Sequence, residues 1–375
     1  MLTERQTDTI TRLESQANLL QNSHTSTPCQ MDAVIRLAME TTAQEFALAI
    51  GMSQETYLHS ELLRAGRGFG NSVTRQAWLS FLRGRVDEAL VHATHADFIA
   101  ERIDSDALRC GARAVLALVR QQVADFEAAE SIWLDLLSIA RRSSDALREA
   151  DYLSALATMR TEQSRHMDAL ELRLRAQHLY QLTNDQNLPL SCNSLARAYL
   201  NLGRFDKAVQ WSKQAISLCD RSSQLWHSWF AHTMGVCHLE QGKLEIAQRH
   251  LEEALFVSKT GTSDIRTQAK ILIDLGRLHC TANRTGEAIQ HSDLALALLA
   301  RQADTLLEAQ AHRVLREAYQ LIGARDVADM HARRRVELGQ THEQGKQIEL
   351  RAVTNSRARI GQMRSTWGAM NYSNN

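Results

Sequence analysis

The sequence predicts an all-α protein built as a solenoid of antiparallel helix pairs, and three observations support this fold class. Its 375 residues include only 2 prolines and 17 glycines, against average usage of roughly 5% and 7%, so the residues that strand-and-turn folds need are scarce. Apolar residues recur at spacings of three and four, as on the buried face of a helix. Small residues also repeat about every 40 positions, and stacked repeats avoid the size limit of a single compact core.

Residues 1–68 are predicted to form a helical N-terminal cap of two or three helices. Within them, the segment around Ala47, Gly51 and Ser53 resembles a helix-turn-helix, a motif that binds DNA. Its second helix would begin SQETYLHSE, without lysine or arginine, and residues 1–50 hold 3 arginines against 6 acidic residues. Because an acidic surface repels phosphates, we expect a capping role here rather than DNA binding.

Residues 69–340 repeat one pattern seven times. The clearest copy is LARAYLNLGRFDKAVQWSKQAISL, from Leu195 to Leu218, which reads as two helices around a short turn. A small residue in the second helix recurs at steps of 39–41 residues, and its seven positions are Ala89, Ala129, Ala169, Ala208, Ala247, Ala288 and Ala328. Alanine is a good helix former in any case, but that preference alone would not produce a constant phase.

Turns and caps follow the same period. The turn inside a pair is predicted at four glycines, which are Gly84, Gly203, Gly242 and Gly323. Polar segments that contain aspartate separate one pair from the next. Aspartate is a favoured N-cap, so we expect caps at Asp106, Asp145, Asp185, Asp264 and Asp304. One helix pair cannot bury its apolar face alone, and the pairs must therefore stack.

The order small, aromatic, glycine, small, small is carried by Ala196, Tyr199, Gly203, Ala208 and Ala215. It resembles the tetratricopeptide repeat, in the variety with a period near 40 that occurs in bacterial regulatory and signalling proteins. The resemblance implies a right-handed superhelix whose concave groove is lined by the first helix of each pair. Beyond the seven repeats, residues 341–375 are expected to form a polar helical extension and a frayed tail.

The phase of the repeats also predicts a ligand-binding groove. The residues expected to face it are Asn193, Arg197, Asn201, Trp229, His232, Lys270, Arg277 and Arg313. Four of them form a cationic strip, and arginine pairs bidentately with carboxylates while asparagine can hold peptide amides. We therefore expect an acidic or carboxylate-bearing ligand. Two alternatives stay open: the polar side chains are simply solvated, and the tryptophans are packing residues.

Other kinds of chemistry find no support in the sequence. The 6 cysteines are scattered without metal-binding or redox spacing, and no HExxH or Walker A motif occurs. The run GRGFG at Gly66–Gly70 is predicted to be a helix-breaking linker rather than a dinucleotide site. Charges balance at 43 basic and 43 acidic residues, and no long apolar segment is present. We expect no enzyme activity, cofactor or metal, no membrane or nucleic acid partner, and a cytoplasmic location.

These observations predict a protein- or peptide-binding repeat scaffold, the sensory or interaction module of a bacterial signalling or regulatory system. The partner would be a protein or peptide of acidic character, and a homodimer is compatible with the pattern. The alternative is a ligand-responsive transcription regulator, or a sensor region separated from an output domain such as a diguanylate cyclase.

Overall fold

The computed structural model describes residues 60–82, 84–219, 224–260, 265–301 and 304–372, and across these ranges every regular element is an α-helix. The helices in chain order are α1 (Ser60–Leu82), α2 (Val86–Arg102), α3 (Asp106–Gln122), α4 (Phe126–Arg142), α5 (Ala146–Glu162), α6 (His166–Leu182), α7 (Leu188–Asn201), α8 (Phe205–Leu218), α9 (Gln224–Glu240), α10 (Leu244–Thr260), α11 (Ile265–Thr281), α12 (Thr285–Leu299), α13 (Thr305–Leu321) and α14 (Arg325–Tyr372). The all-α prediction is confirmed. The helix-turn-helix candidate at Ala47–Ser53 lies outside the described residues.

Each pair of helices is closed by a turn of three residues whose central residue is left-handed. Gly203 has a φ of 68°, and the next residue, Arg204, donates its backbone N–H to the carbonyl of Tyr199 at 2.9 Å. The predicted glycine turns are confirmed, since Gly84, Gly242 and Gly323 also have positive φ. Three other pairs hold the same conformation without glycine, at Ala124, Ser164 and Asn283. The left-handed turn is therefore a feature of every repeat, and glycine adopts it without strain.

The predicted N-caps are partly correct. Asp145 accepts the backbone N–H of Arg148 at 3.0 Å, and Asp304 accepts that of Leu307 at 3.1 Å, so both cap their helices. The cap of α3 is Ser105, and Asp106 is the first helical residue. Both residue types suit this junction, and only the backbone shows which one precedes the helix. Asp185 bonds the N–H of Asn187 at 2.7 Å, ahead of α7, and Asp264 lies outside the described residues.

The small residues lie where helices approach closely. All seven alanines of the constant phase are at most 1% exposed. Gly235 of α9 shows the reason, because a Cβ added there would lie 2.7 Å from Cγ of Leu251 on α10. The run Gly66–Gly70 lies inside α1, so the predicted linker is wrong. At Gly70 a Cβ would meet Leu108 of α3 at 2.3 Å, so that glycine serves close packing rather than a break.

The described residues fall into two compact units, divided at residues 139/140 and 345/346. In the first unit, Val353 from the second half of α14 joins a core that includes Ala77 and Val115. Residues 341–372 belong to the same helix, α14, and Val353 within them is buried. The second unit holds α5–α13 and the first half of α14, with apolar cores between successive pairs. All the predicted groove residues lie in this second unit.

Candidate ligand-binding groove

The predicted groove residues lie on the first helices of four successive pairs. Asn193, Arg197 and Asn201 belong to α7, Trp229 and His232 to α9, Lys270 and Arg277 to α11, and Arg313 to α13. Neighbouring first helices contact one another, α7 with α9, α9 with α11 and α11 with α13. The repeat phase thus placed these residues on one row of adjoining helices, while their charges and partners differ along that row.

At α9 and α11 the residues of the predicted groove belong to a polar network centred on Asp274. His232 donates from Nε2 to Oδ2 of Asp274 at 2.9 Å, across the two helices. Arg277 donates from Nη1 to Oδ1 of Asp274 at 2.7 Å and from Nη2 to Oε1 of Glu240 at 2.6 Å. The positive charge of Arg277 is therefore matched by two carboxylates. The continuous cationic strip expected from sequence is interrupted here by internal ion pairs.

The titration of these groups reflects the same network. Burial acts to raise the pKa of Asp274, but the hydrogen bond from His232 and the charges of His232 and Arg277 outweigh it and hold that pKa below its ordinary value. Burial acts to lower the pKa of Arg277, but Asp274 and Glu240 outweigh it and raise that pKa. Both groups are thus held in their charged forms.

Trp229 is tied to the next repeat. Its Nε1–H donates to Oγ1 of Thr267 on α11 at 3.0 Å, so the polar edge of the indole already has a partner. Its ring packs partly buried against a core that contains Cys192, Ala215 and Phe230. This arrangement supports the alternative that Trp229 is a packing residue that joins two helix pairs.

The wall at α7 differs, because its polar groups are not paired. Asn193 is only 8% exposed, and among the described residues its buried Oδ1 has no hydrogen-bond partner. Arg197, one turn later on the same face, is exposed and makes no ion pair within the described part of the chain. Asn201 is also exposed. This end of the predicted groove therefore offers free hydrogen-bonding capacity and positive charge.

Arg173, on α6, is a second partly buried arginine whose charge interacts with that of Arg197, and the sequence did not indicate it. Burial, and then the charge of Arg197, lower the pKa of Arg173 to about 10. Its Nε is buried without a hydrogen-bond partner in the described structure. The repeat phase assigns the groove to first helices, whereas α6 is the second helix of its pair. The sequence does set Arg173 apart from the other repeats. The equivalent position, four residues after the recurring alanine, is held there by smaller or apolar residues, namely Ala93, Trp133, Ser212, Leu251 and Ser292.

The two remaining groove residues differ in exposure. Lys270 is half-buried on α11, and Arg313 is exposed on α13. Among the described residues, no group of three or more His, Cys, Asp or Glu side chains is placed to hold a metal ion. Burial raises the pKa of Cys192, Cys237 and Cys280 to about 11, which suits unreactive packing thiols.

Comparison with known proteins identifies the repeat. The sequence model of the tetratricopeptide repeat matches residues 188–258, which comprise α7 to most of α10. Residues 188–258 are tetratricopeptide repeats. This confirms the resemblance noted in the sequence. Buried small residues and left-handed turns at the same phase recur in the other described helix pairs. Among the helices that the structure describes, we find no candidate for a membrane-spanning segment.

Three proteins of known sequence or structure are similar to this chain. Over 223 residues it is 25% identical to the regulatory protein AfsR of Streptomyces griseus, a match that spans 58% of this chain and 22% of AfsR. The apo structure of RapI is 14% identical with a TM-score of 0.62, over 73% of this chain and 99% of RapI. A Rap protein complexed with Competence and Sporulation Factor is 13% identical with a TM-score of 0.58, over 90% of this chain and 98% of that one. These two structures share the fold of this chain.

Proposed function

We propose that the groove on α7, α9, α11 and α13 binds an extended protein or peptide segment with acidic or carboxylate groups. The observation that carries the proposal is the contrast along the groove. Arg197 and Arg313 are exposed cations without an ion pair in the described residues, whereas Arg277 between them is neutralised. A ligand with two acidic groups would pair with Arg197 at one end and with Arg313 at the other. The charge of Arg277, between them, is already neutralised by its own carboxylate partners.

The role that follows is binding, without a catalytic step in the groove. The chain would be the interaction or sensory module of a bacterial signalling or regulatory system and would act in the cytoplasm. A Rap protein of similar fold has been solved in complex with Competence and Sporulation Factor, so this fold can hold such a factor. In the proposal, residues 1–68 cap the array, residues 69–340 form seven repeats and residues 341–375 extend it.

A peptide array tests the proposal directly. The full chain is applied to immobilised ten-residue peptides that vary in the number and spacing of aspartates and glutamates. We expect capture of acidic peptides, and we expect Arg197→Glu to weaken it about tenfold or more because an attraction becomes a repulsion. Arg249→Glu on α10 is the matched control, since Arg249 is also exposed and unpaired in the described residues. Equal loss in both variants, or no preference for acidic peptides, would refute the groove as the binding site.

A second candidate function is a ligand-responsive regulator whose output lies elsewhere. Similarity to AfsR favours it, because the matched region is less than a quarter of that regulator. The array would then be the sensor part of a transcription regulator, or of a protein with an output domain such as a diguanylate cyclase. Binding to a nonspecific DNA duplex at increasing salt separates the two candidates. A steep fall of affinity with salt would favour direct DNA contact, and no binding would favour the interaction module.

A further inference from the structure

Histidine occupies the aromatic position of the repeat in two successive helix pairs. In the clearest copy this position, four residues before the left-handed turn residue, is Tyr199, which shares an apolar core with Trp211 of α8. The equivalent residues are His238 on α9 and His279 on α11. Both are buried, at 8% and 3% exposed. An aromatic ring is therefore kept at this contact, but in two pairs it is a ring that can take up a proton.

Each of these histidines stacks on a histidine of the second helix of its own pair. His238 faces His250 on α10, with ring centroids 5.8 Å apart and planes 12° from parallel. His279 faces His291 on α12 at 5.0 Å and 19°. His250 and His291 hold the position that Trp211 holds on α8, eight residues after the left-handed turn residue. Both sides of the contact are thus titratable in these two pairs.

The next pair, α13 with α14, has a related arrangement. His331 of α14 stacks on Tyr319 of α13 at 5.5 Å and 17°. Nδ1 of His331 also lies 2.9 Å from Nδ1 of His312 on α13, so one nitrogen donates a proton to the lone pair of the other. Three successive helix pairs of the second unit are therefore joined by histidine contacts, which are His238–His250, His279–His291 and His312–His331.

Burial is the largest influence on the titration of the more enclosed rings. It lowers the pKa of His238, His279, His312 and His331 below the ordinary value of 6.5. The pKa of His312 falls to about 4. The unfolded chain therefore binds protons at these residues more readily than the folded one. Stability from these contacts is fully present above pH 6.5 and is lost as the pH falls below that value.

Neighbouring groups act in both directions. Cations that also lower these pKa values are Lys213 and Lys243 near His238, Arg284 near His279 and Arg334 near His312. Groups that raise them are Gln241 by its hydrogen bond to His238, Glu252 and Glu287 near His279, and Asp293 near His331. Glu253 lies 3.5 Å from Nδ1 of His250. Glu287 reaches Nδ1 of His279 at 3.2 Å, but it is half exposed and also pairs with Arg284 at 3.4 Å. The carboxylates therefore do not cancel the effect of burial.

We propose that the histidine contacts are an acid-sensitive device that holds the first and second helices of three successive pairs together at neutral pH and releases them on mild acidification. Tyr199 and Trp211 fill the same two positions in α7 and α8, so packing alone does not require a titratable ring. Because α9, α11 and α13 also carry the predicted groove residues, release would disturb that surface. Loss of a ligand at low pH is a consequence that rests on the proposed function, whereas the release itself needs no ligand.

Amide hydrogen exchange of the ligand-free full chain at pH 7.5 and pH 5.5 tests the device, after correction for the intrinsic pH dependence of exchange. In α9–α12 we expect the opening equilibrium to rise about tenfold or more on acidification, because opening takes up more than one proton in this range. The internal control is α7–α8, since residues 188–218 contain no histidine. There we expect a rise of less than about threefold.

Replacing the two buried histidines by the residue that other repeats use gives the decisive comparison. In His238→Tyr combined with His279→Tyr, we expect opening of α9–α12 to change less than about threefold between the two pH values, because these rings no longer titrate in this range. His178→Tyr is the matched control, since His178 is exposed on α6. It should retain the full response. If the double variant does not fold at pH 7.5, the single variant His238→Tyr should remove the response of α9–α10 alone.

Two results would overturn the acid-sensitive device. One is an equal pH response of native protein and tyrosine variants, and the other is equal opening of α7–α8 and α9–α12 in the native protein, which would indicate general acid unfolding. The second comparison needs no variant. Neither result bears on the peptide array. Capture of acidic peptides without the pH response would leave the proposed function and remove the device, and the pH response without capture would do the opposite.

Discussion

Reversing the charge of Arg277 should destabilise the second unit rather than only weaken ligand binding. In Arg277→Glu a third carboxylate would lie beside Asp274 and Glu240, which the native guanidinium reaches at 2.7 Å and 2.6 Å. Breaking a buried pair typically costs about 3–5 kcal/mol. The Arg277 side chain is 30% exposed, and water screens part of that interaction, so we expect about 2–4 kcal/mol.

Thermal unfolding followed by circular dichroism measures this effect. For a unit of about 200 residues, 1 kcal/mol corresponds to roughly 2–4 °C, so the midpoint should fall by about 5–15 °C. Arg249→Glu, an exposed and unpaired arginine on α10, should change the midpoint by less than about 2 °C.

A charge exchange provides the internal check. Combining Arg277→Glu with Glu240→Arg restores an opposite pair at that contact, although Asp274 still faces the new glutamate, so we expect partial recovery of the midpoint. Native-like melting of the single variant would refute the network at Asp274. A double variant no more stable than the single one would refute the specific contact between residues 240 and 277.

Three further predictions concern the repeat itself. Ala208→Arg should cost about 3–5 kcal/mol, because Ala208 is fully buried, whereas Gln210→Arg at an exposed position should be near neutral in urea unfolding. Ser164→Gly should stabilise by about 0.5–1 kcal/mol, since Ser164 has a φ of 60°, and an unchanged urea midpoint would count against strain in the turn. Burial and the charge of His331 lower the pKa of His312 to about 4, from an ordinary value of 6.5. Stability linked to His312 is therefore present above pH 6.5 and lost as pH falls toward 4, so the melting point should drop between pH 7 and pH 5, and less so in His312→Asn.

The phase of the repeats could be predicted from the sequence because it depends on contacts that recur in every helix pair. Ala208 and Ala247 were recognisable as contact positions since close approach excludes larger side chains at one point per repeat. The left-handed turn was visible where glycine marks it, as at Gly203, but hidden at Ala124 and Asn283, where the tertiary structure holds ordinary residues in the same conformation. The assignment of the cap to Ser105 rather than Asp106 also depended on the backbone.

The amino-acid sequence by itself thus determined the helix pairs, their period and the row of first helices, because every repeat carries the same local pattern of small and apolar residues. Only the tertiary structure decided the electrostatics of that row. Arg277 contacts Glu240, which is 37 residues away in the sequence, and His232 contacts Asp274, which is 42 residues away. Such pairings depend on which side chains meet across two helices, and the repeating pattern of small and apolar residues does not specify those contacts.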